Sequence, residues 1–205
     1  MKAVVLISGS GSNLQALIES SQQQRHFEII AVISDRSDAY GLIRAEKGGI
    51  TTANLLPSSF ASRTDYDLRL QQLIDSFAPD MVLLAGFMRI LSDDFVHHYS
   101  GRMLNIHPSL LPKFRGLHTH QRAIDAGEKE AGCTVHFVTP ELDAGPIVAQ
   151  ARVAIFPDDD AETLASRVLH EEHRLYPTVS NWYAQGRLKL EGGIVMLDGN
   201  PISKA

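Results

Sequence analysis

The sequence predicts an α/β protein: a doubly wound, mostly parallel sheet with an antiparallel C-terminal extension. Three observations carry that expectation. Short apolar runs alternate with longer stretches of helical spacing through the first half of the chain. The first of these runs is continuously apolar, as in a strand buried on both faces. After Pro112 the alternation gives way to two β-rich runs joined by turn residues. Strand-helix alternation implies parallel strands linked by right-handed crossovers, with helices on both faces.

The elements follow in order. Ala3 to Ile7 is the first buried strand; Gly9-Ser10-Gly11-Ser12 breaks it, and Asn13 to Glu19 reads as a helix with Ser12 or Asn13 near its cap. Glu28 to Ile33 is a second strand, ending at Ser34-Asp35. A helix over Gly41 to Lys47 stops at Gly48-Gly49, and Thr51 to Leu55 is a third strand. Ser62 to Phe77 has helical spacing at Tyr66, Leu70, Leu73 and Ile74. Pro79 introduces the strong strand Met81 to Ala85, and Met103 to Ile106 is a short fifth strand. Cys133 to Thr139 and Ile147 to Ile155 form an expected antiparallel pair around Pro140 to Pro146. Ala161 to Tyr183 is a long helix with Pro177 set to bend it. Leu188 to Leu197, interrupted by Gly192-Gly193, reads as a small hairpin.

At 205 residues the chain fits one large domain, with two small ones as the lesser alternative, and no repeat or linker divides it. The net charge of -5 argues against a general nucleic-acid binder but leaves room for a local anion site. Cys133 is the single cysteine, which excludes an internal disulfide and a cysteine-based metal cluster and points to a reducing compartment. The apolar run at Met1 to Ser8 is too short for a signal peptide, and Met81 to Met88 falls far below the ~20 residues of a membrane span. A cytoplasmic protein without membrane contact is the expectation.

Three segments can carry chemistry. Gly9-Ser10-Gly11-Ser12-Asn13 lies between a strand and a helix, where glycines admit an anion and helix-start amides favour negative charge. A bare strand-to-helix turn is one alternative. A dinucleotide site using Asp35 is another, but Leu14 stands where the third glycine of that fingerprint would be. The second segment is Asn105-Ile106-His107-Pro108-Ser109-Leu110-Leu111-Pro112. Strand alternation turns Asn105 and His107 to one side, at a strand's carboxyl end, where an amide and an imidazole can share an oxyanion. Two prolines fix the backbone that follows, and either can be cis. The third is Leu142-Asp143-Ala144-Gly145-Pro146, a shaped loop whose aspartate either orients His107 or bonds its own turn. His118-x-His120 and His170-x-x-His173 have chelating spacing but lack an evident third ligand, and no Gly-x-Ser-x-Gly elbow is present.

Assembled, these segments resemble the folate-dependent phosphoribosylglycinamide formyltransferases, across nearly the whole chain. The resemblance rests on Ile7 to Gln15, Leu84 to Leu91, Asn105 to Pro112, Gly116-Leu117-His118-Thr119-His120, and Val135 to Val138 through Asp143-Gly145-Pro146. Asn105, His107 and Asp143 are shared with the wider folate formyltransferase group; the glycine-serine-asparagine loop and Gly-Leu-His-Thr-His point to this branch.

The resemblance implies a Rossmann-like formyltransferase fold in one domain over 1–205, with a nucleotide-binding half at about 1–100 and a folate-binding, catalytic half at about 101–205. It implies transfer of a formyl group from 10-formyltetrahydrofolate, as co-substrate, to the amine of glycinamide ribonucleotide in purine synthesis, with no metal. Asn105, His107 and Asp143 then match catalytic positions. Gly11, Ser12 and Asn13 match the phosphate cradle and Glu172 the carboxylate on the ribose hydroxyls. Arg63, Met88, Arg89, Ile90 and Leu91, with Val138, Thr139, Pro140, Glu141 and Leu142, match the folate pocket. Leu169 departs from relatives that carry a phosphate-binding glutamine there. A related folate formyltransferase or formyltetrahydrofolate hydrolase with another acceptor is the alternative, against which the chain shows no added basic or regulatory domain. A monomer or homodimer fits either reading.

Overall fold

The structure is a computed structural model and describes residues 1–202. It divides into two compact units, Met1–Asn105 and a second from Ile106 onward.

In the first unit, parallel strands lie in the order β3-β2-β1-β4-β5: β1 is Lys2–Ile7, β2 Glu28–Ser34, β3 Thr51–Asn54, β4 Met81–Leu84 and β5 Met103–His107, whose last two residues belong to the second unit. The chain winds outward from β1 to β3 and then returns to build β4 and β5 on the other side. Its direction reverses between β1 and β4, the switch point at which such sheets place ligands. Ala3 to Ile7 are fully buried, as their unbroken apolar run requires. Four helices connect the strands: α1 Ser12–Gln24, α2 Tyr40–Lys47, α3 Arg63–Ser76 and α4 Asp93–His98. α1 begins one residue after Gly11, which occupies the left-handed region at φ 70°, and no side chain caps it. The cap is therefore Gly11, not Ser12 or Asn13.

Two short features were not expected: a 3₁₀ turn at Pro57–Ser59, and α4. Ser92 caps α4 by accepting the Phe95 amide, Asp93 and Asp94 lie in its first turn, and Phe95 and Val96 bury its inner face.

The second unit pairs β6 Glu130–Phe137 antiparallel with β7 Ile147–Ala154. α6, Ala161–Ala184, packs on both strands and runs continuously through Pro177. β6 starts three residues before Cys133 and ends at Phe137, because Val138 to Pro146 leave the ladder as a loop. α5, Thr119–Asp125, was not expected; it packs against α6. The C-terminal hairpin gains a third strand, giving a separate antiparallel sheet of β8 Leu188–Glu191, β9 Ile194–Leu197 and β10 Asn200–Pro201. The mostly parallel α/β architecture with antiparallel C-terminal structure stands as the sequence predicts.

Candidate active site

In the first unit, the carboxyl ends of β1 and β4 border a cavity of about 550 Å³ lined by Ser8 to Asn13, Asp35, Arg36, Ala85, Gly86 and Met88. The glycine-rich loop expected to hold an anion thus forms one wall. The Ser8 hydroxyl accepts the Met88 amide at 2.8 Å, and the Ser8 amide donates to the Gly86 carbonyl at 3.1 Å. These bonds join the loops after β1 and β4. Asp35 also lines this space, and its Oδ1 is buried without a hydrogen-bond partner among the described residues.

The segment after Met88 is held by α3. The Arg89 guanidinium lies over the Tyr66 ring, 4.6 Å from its centroid. The Asp67 carboxylate accepts the Ser92 amide at 2.8 Å and stands 3.9 Å from Nε of Arg63. Arg63, Arg89, Ile90 and Leu91 are thereby brought into one neighbourhood, with Met88 and Ile90 exposed and Leu91 buried. Tyr66 and Asp67 were missed as site-building residues. Tyr66 reads as an apolar helix position, and only its packing reveals the ring under Arg89. Burial, then the nearby charge of Asp35, pushes its hydroxyl well above the ordinary tyrosine range.

In the second unit, His107 is 6% exposed. Its Nδ1 stands 3.4 Å from Asp143 Oδ2, and its Nε2–H donates to the Phe114 carbonyl at 3.0 Å. Both ring nitrogens therefore face oxygen atoms, one of a carboxylate and one of a backbone carbonyl. Asp143 Oδ2 also accepts the Gly116 amide at 2.9 Å. A second histidine, His136 on β6, places Nε2 3.9 Å from the other carboxylate oxygen and donates Nδ1–H to the Phe137 carbonyl at 2.9 Å. Burial holds the His136 pKa below the ordinary value, against the raising effects of its Phe137 bond and of Asp143.

The backbone at this site is strained. Asp143 has φ 48° and Phe114 φ 56°, in the left-handed region that side chains other than glycine enter at a cost of about 1–2 kcal/mol. Aspartate tolerates it; a bulky aromatic does so only when its surroundings hold it there. Gly145 anchors the other end of the Asp143 loop: a Cβ there would overlap the Phe137 carbonyl.

The loop after His107 is stapled to β6 and β7. Thr134 Oγ1 donates to the Ser109 carbonyl at 2.7 Å and accepts the Leu111 amide at 3.1 Å. Gln150 Nε2 donates to the Leu111 carbonyl at 2.8 Å and to Thr134 Oγ1 at 2.9 Å. Of the two prolines able to be cis, Pro112 is. Thr134 and Gln150 were also missed, because polar residues in a β-rich run give no sign that they hold the loop after His107. A cavity of about 390 Å³ adjoins this loop, lined in part by Leu111, His120 and Gln150.

Asn105 lies two residues before His107 on β5, so strand alternation gives both side chains the same side. Glu172, on α6, is 7% exposed. In the loop from Val138 to Leu142, Glu141 pairs with Arg115 and Leu142 is exposed. His118 and His120 sit at the start of α5; burial, then the charge of His107, lowers the His120 pKa. Among the described residues, no three His, Cys, Asp or Glu side chains converge as a metal site. No helix among them is long and apolar enough to cross a membrane.

Residues 1–180 match the family model described as formyl transferase. The chain belongs to the formyl transferase family. The phosphoribosylglycinamide formyltransferase of Escherichia coli K12 is 52% identical over 200 residues, spanning 97% of this chain and 94% of that protein. The solved phosphoribosylglycinamide formyltransferase of Coxiella burnetii superposes with a TM-score of 0.96 at 54% identity, covering 99% of this chain and 96% of its own. Glycinamide ribonucleotide transformylase 1 of Symbiobacterium toebii superposes at 0.93 with 44% identity, covering 96% and 93%. Within this family, the acid-histidine pair and the glycine loop of this formyltransferase become candidates for defined parts of one transfer reaction.

Proposed function

We infer that this chain transfers the formyl group of 10-formyltetrahydrofolate to the amine of glycinamide ribonucleotide. The observation that carries the reading is the buried His107, with acceptors at both ring nitrogens, beside Asp143 and two residues after Asn105 on one strand. Relatives that match over nearly their full length bear this activity in their names.

In this reading the acceptor's amine attacks the formyl carbon, and the carbonyl electron pair moves to oxygen. Asn105 donates a hydrogen bond to that oxyanion. His107 stabilises it through its positive charge, its Nε2–H being held by Phe114. Asp143 holds the ring and supports that charge, and helps pass a proton from the attacking nitrogen to the departing folate nitrogen as the original carbon-nitrogen bond breaks. Gly11, Ser12 and Asn13 take the phosphate, and Glu172 the ribose hydroxyls. Arg63, Met88, Arg89, Ile90 and Leu91, with Val138 to Leu142, take the folate. The lone buried Cys133 fits a reducing cytoplasm.

The test is a spectrophotometric assay of the wild type with both substrates, followed by Asn105→Ala and His107→Ala. Loss of an oxyanion donor should lower kcat about 10²–10³-fold. No folate product from the wild type, or near-normal kcat in both variants, would overturn the reading.

A further inference from the structure

The glycine loop after β1 presents three successive carbonyls that would repel an anion if they faced it. Each is turned away onto a donor. The Gly9 carbonyl accepts the Gly41 amide at 3.0 Å, and the Gly11 carbonyl accepts the Gln15 amide at 2.9 Å, opening the α1 ladder. The Ser10 carbonyl, between them, accepts Nε–H of Arg44 at 2.8 Å. The Ser10 carbonyl is thus held by a side chain from a different element.

The packing around Arg44 is tight. A Cβ on Gly11 would lie 2.5 Å from the Gly41 Cα and 3.4 Å from the Arg44 Cδ, so the first turn of α2 is pressed against the loop. The Arg44 guanidinium lies 5.0 Å from the centroid of the exposed Tyr40 ring. Stacking on the ring and the bond to Ser10 together restrict an otherwise flexible side chain.

We propose that Arg44 is a positioning residue for the acceptor's phosphate. By holding the Ser10 carbonyl away, it leaves the amide groups at the start of α1 to face the phosphate, and its guanidinium adds positive charge beside the cradle. The proposal deepens the reading above and rests on Gly11 to Asn13 being the phosphate site.

Arg44→Met removes both the donor and the charge; Arg44→Lys keeps the charge but lacks the planar Nε–H aimed at Ser10. The KM for glycinamide ribonucleotide should rise about 10-fold in Arg44→Met, consistent with a lost charge-assisted hydrogen bond, and by less in Arg44→Lys. The KM for 10-formyltetrahydrofolate and kcat should stay within about 2-fold of the wild type. With the unphosphorylated riboside as acceptor the variants should equal the wild type, an outcome that general loosening of the fold would not produce. Equal losses for phosphorylated and unphosphorylated acceptors, or a fall in kcat alone, would overturn the proposal. Calorimetric titration with ribose 5-phosphate separates the two readings. Weaker binding in Arg44→Met supports the role of Arg44 even if the wild type transfers no formyl group, and unchanged binding refutes it.

Discussion

Asp143 Oδ2 faces Nδ1 of His107 at 3.4 Å while also accepting the Gly116 amide at 2.9 Å. One oxygen thus fixes the ring and the loop that follows it. Replacing Asp143 by Asn keeps the shape and an oxygen for Gly116 but removes the negative charge opposite the imidazole. Loss of ~3 kcal/mol of electrostatic support for the transition state corresponds to about 10²-fold in rate. Asp143→Asn should therefore lower kcat by about that factor with little change in either KM or in circular dichroism. A kcat within 3-fold of the wild type would show that the charge is not needed.

Thr134 yields a second prediction because its hydroxyl meets three partners at once. Thr134→Val keeps the shape but leaves the Ser109 carbonyl and Leu111 amide without that partner in a buried place. Unsatisfied buried groups cost about 1–3 kcal/mol, so the melting temperature should fall by roughly 2–4 °C for each kcal/mol lost. The same loop begins at His107, so kcat should fall with it. An unchanged melting temperature would mean that the loop finds other partners.

These two residues mark the boundary of what the sequence discloses. The unbroken apolar run at Ala3 to Ile7, too short for a typical helix, reads as a strand buried on both faces, and the glycines after it announce a turn. The strand that carries Asn105 and His107 was legible, as was the shaped loop that carries Asp143 and ends in Gly145-Pro146. Thr134 and Gln150 were not, since their importance lies in meeting a loop more than 20 residues away in sequence. α4 had a readable start in Ser92-Asp93-Asp94, but its six residues are too few to show helical period. α5 begins directly after His118, whose left-handed conformation the sequence does not signal.

The pairing of Asp159 with Arg167 predicts how stability depends on pH. Hydrogen bonds from Arg167, then the Phe156 amide, lower the Asp159 pKa from the ordinary 3.8 to about 2. A carboxylate depressed by folding stabilises the fold fully above its unfolded pKa. That contribution is lost as pH falls from about 4 through about 2, where the folded group also takes up its proton. Asp159→Asn should therefore flatten the stability profile between pH 4 and 2, measured by urea denaturation at each pH, while the profile above pH 5 keeps its slope. An identical acid limb in wild type and variant would assign the loss to other carboxylates.

Cys133 gives the last prediction. It lies on β6, fully buried, and burial, then the charge of Glu172, pushes its thiol up to about 12. The thiolate is the reactive form, so two barriers act together: near pH 8 almost none is ionised, and no reagent reaches it without an opening of the strand. Iodoacetamide should label the native protein extremely slowly and the urea-unfolded chain at the rate of a free cysteine. Labelling of the native state should then accelerate with denaturant in step with unfolding. Rapid modification without denaturant would show that the β6–β7 pair opens locally, and would make Cys133 a reporter of that motion.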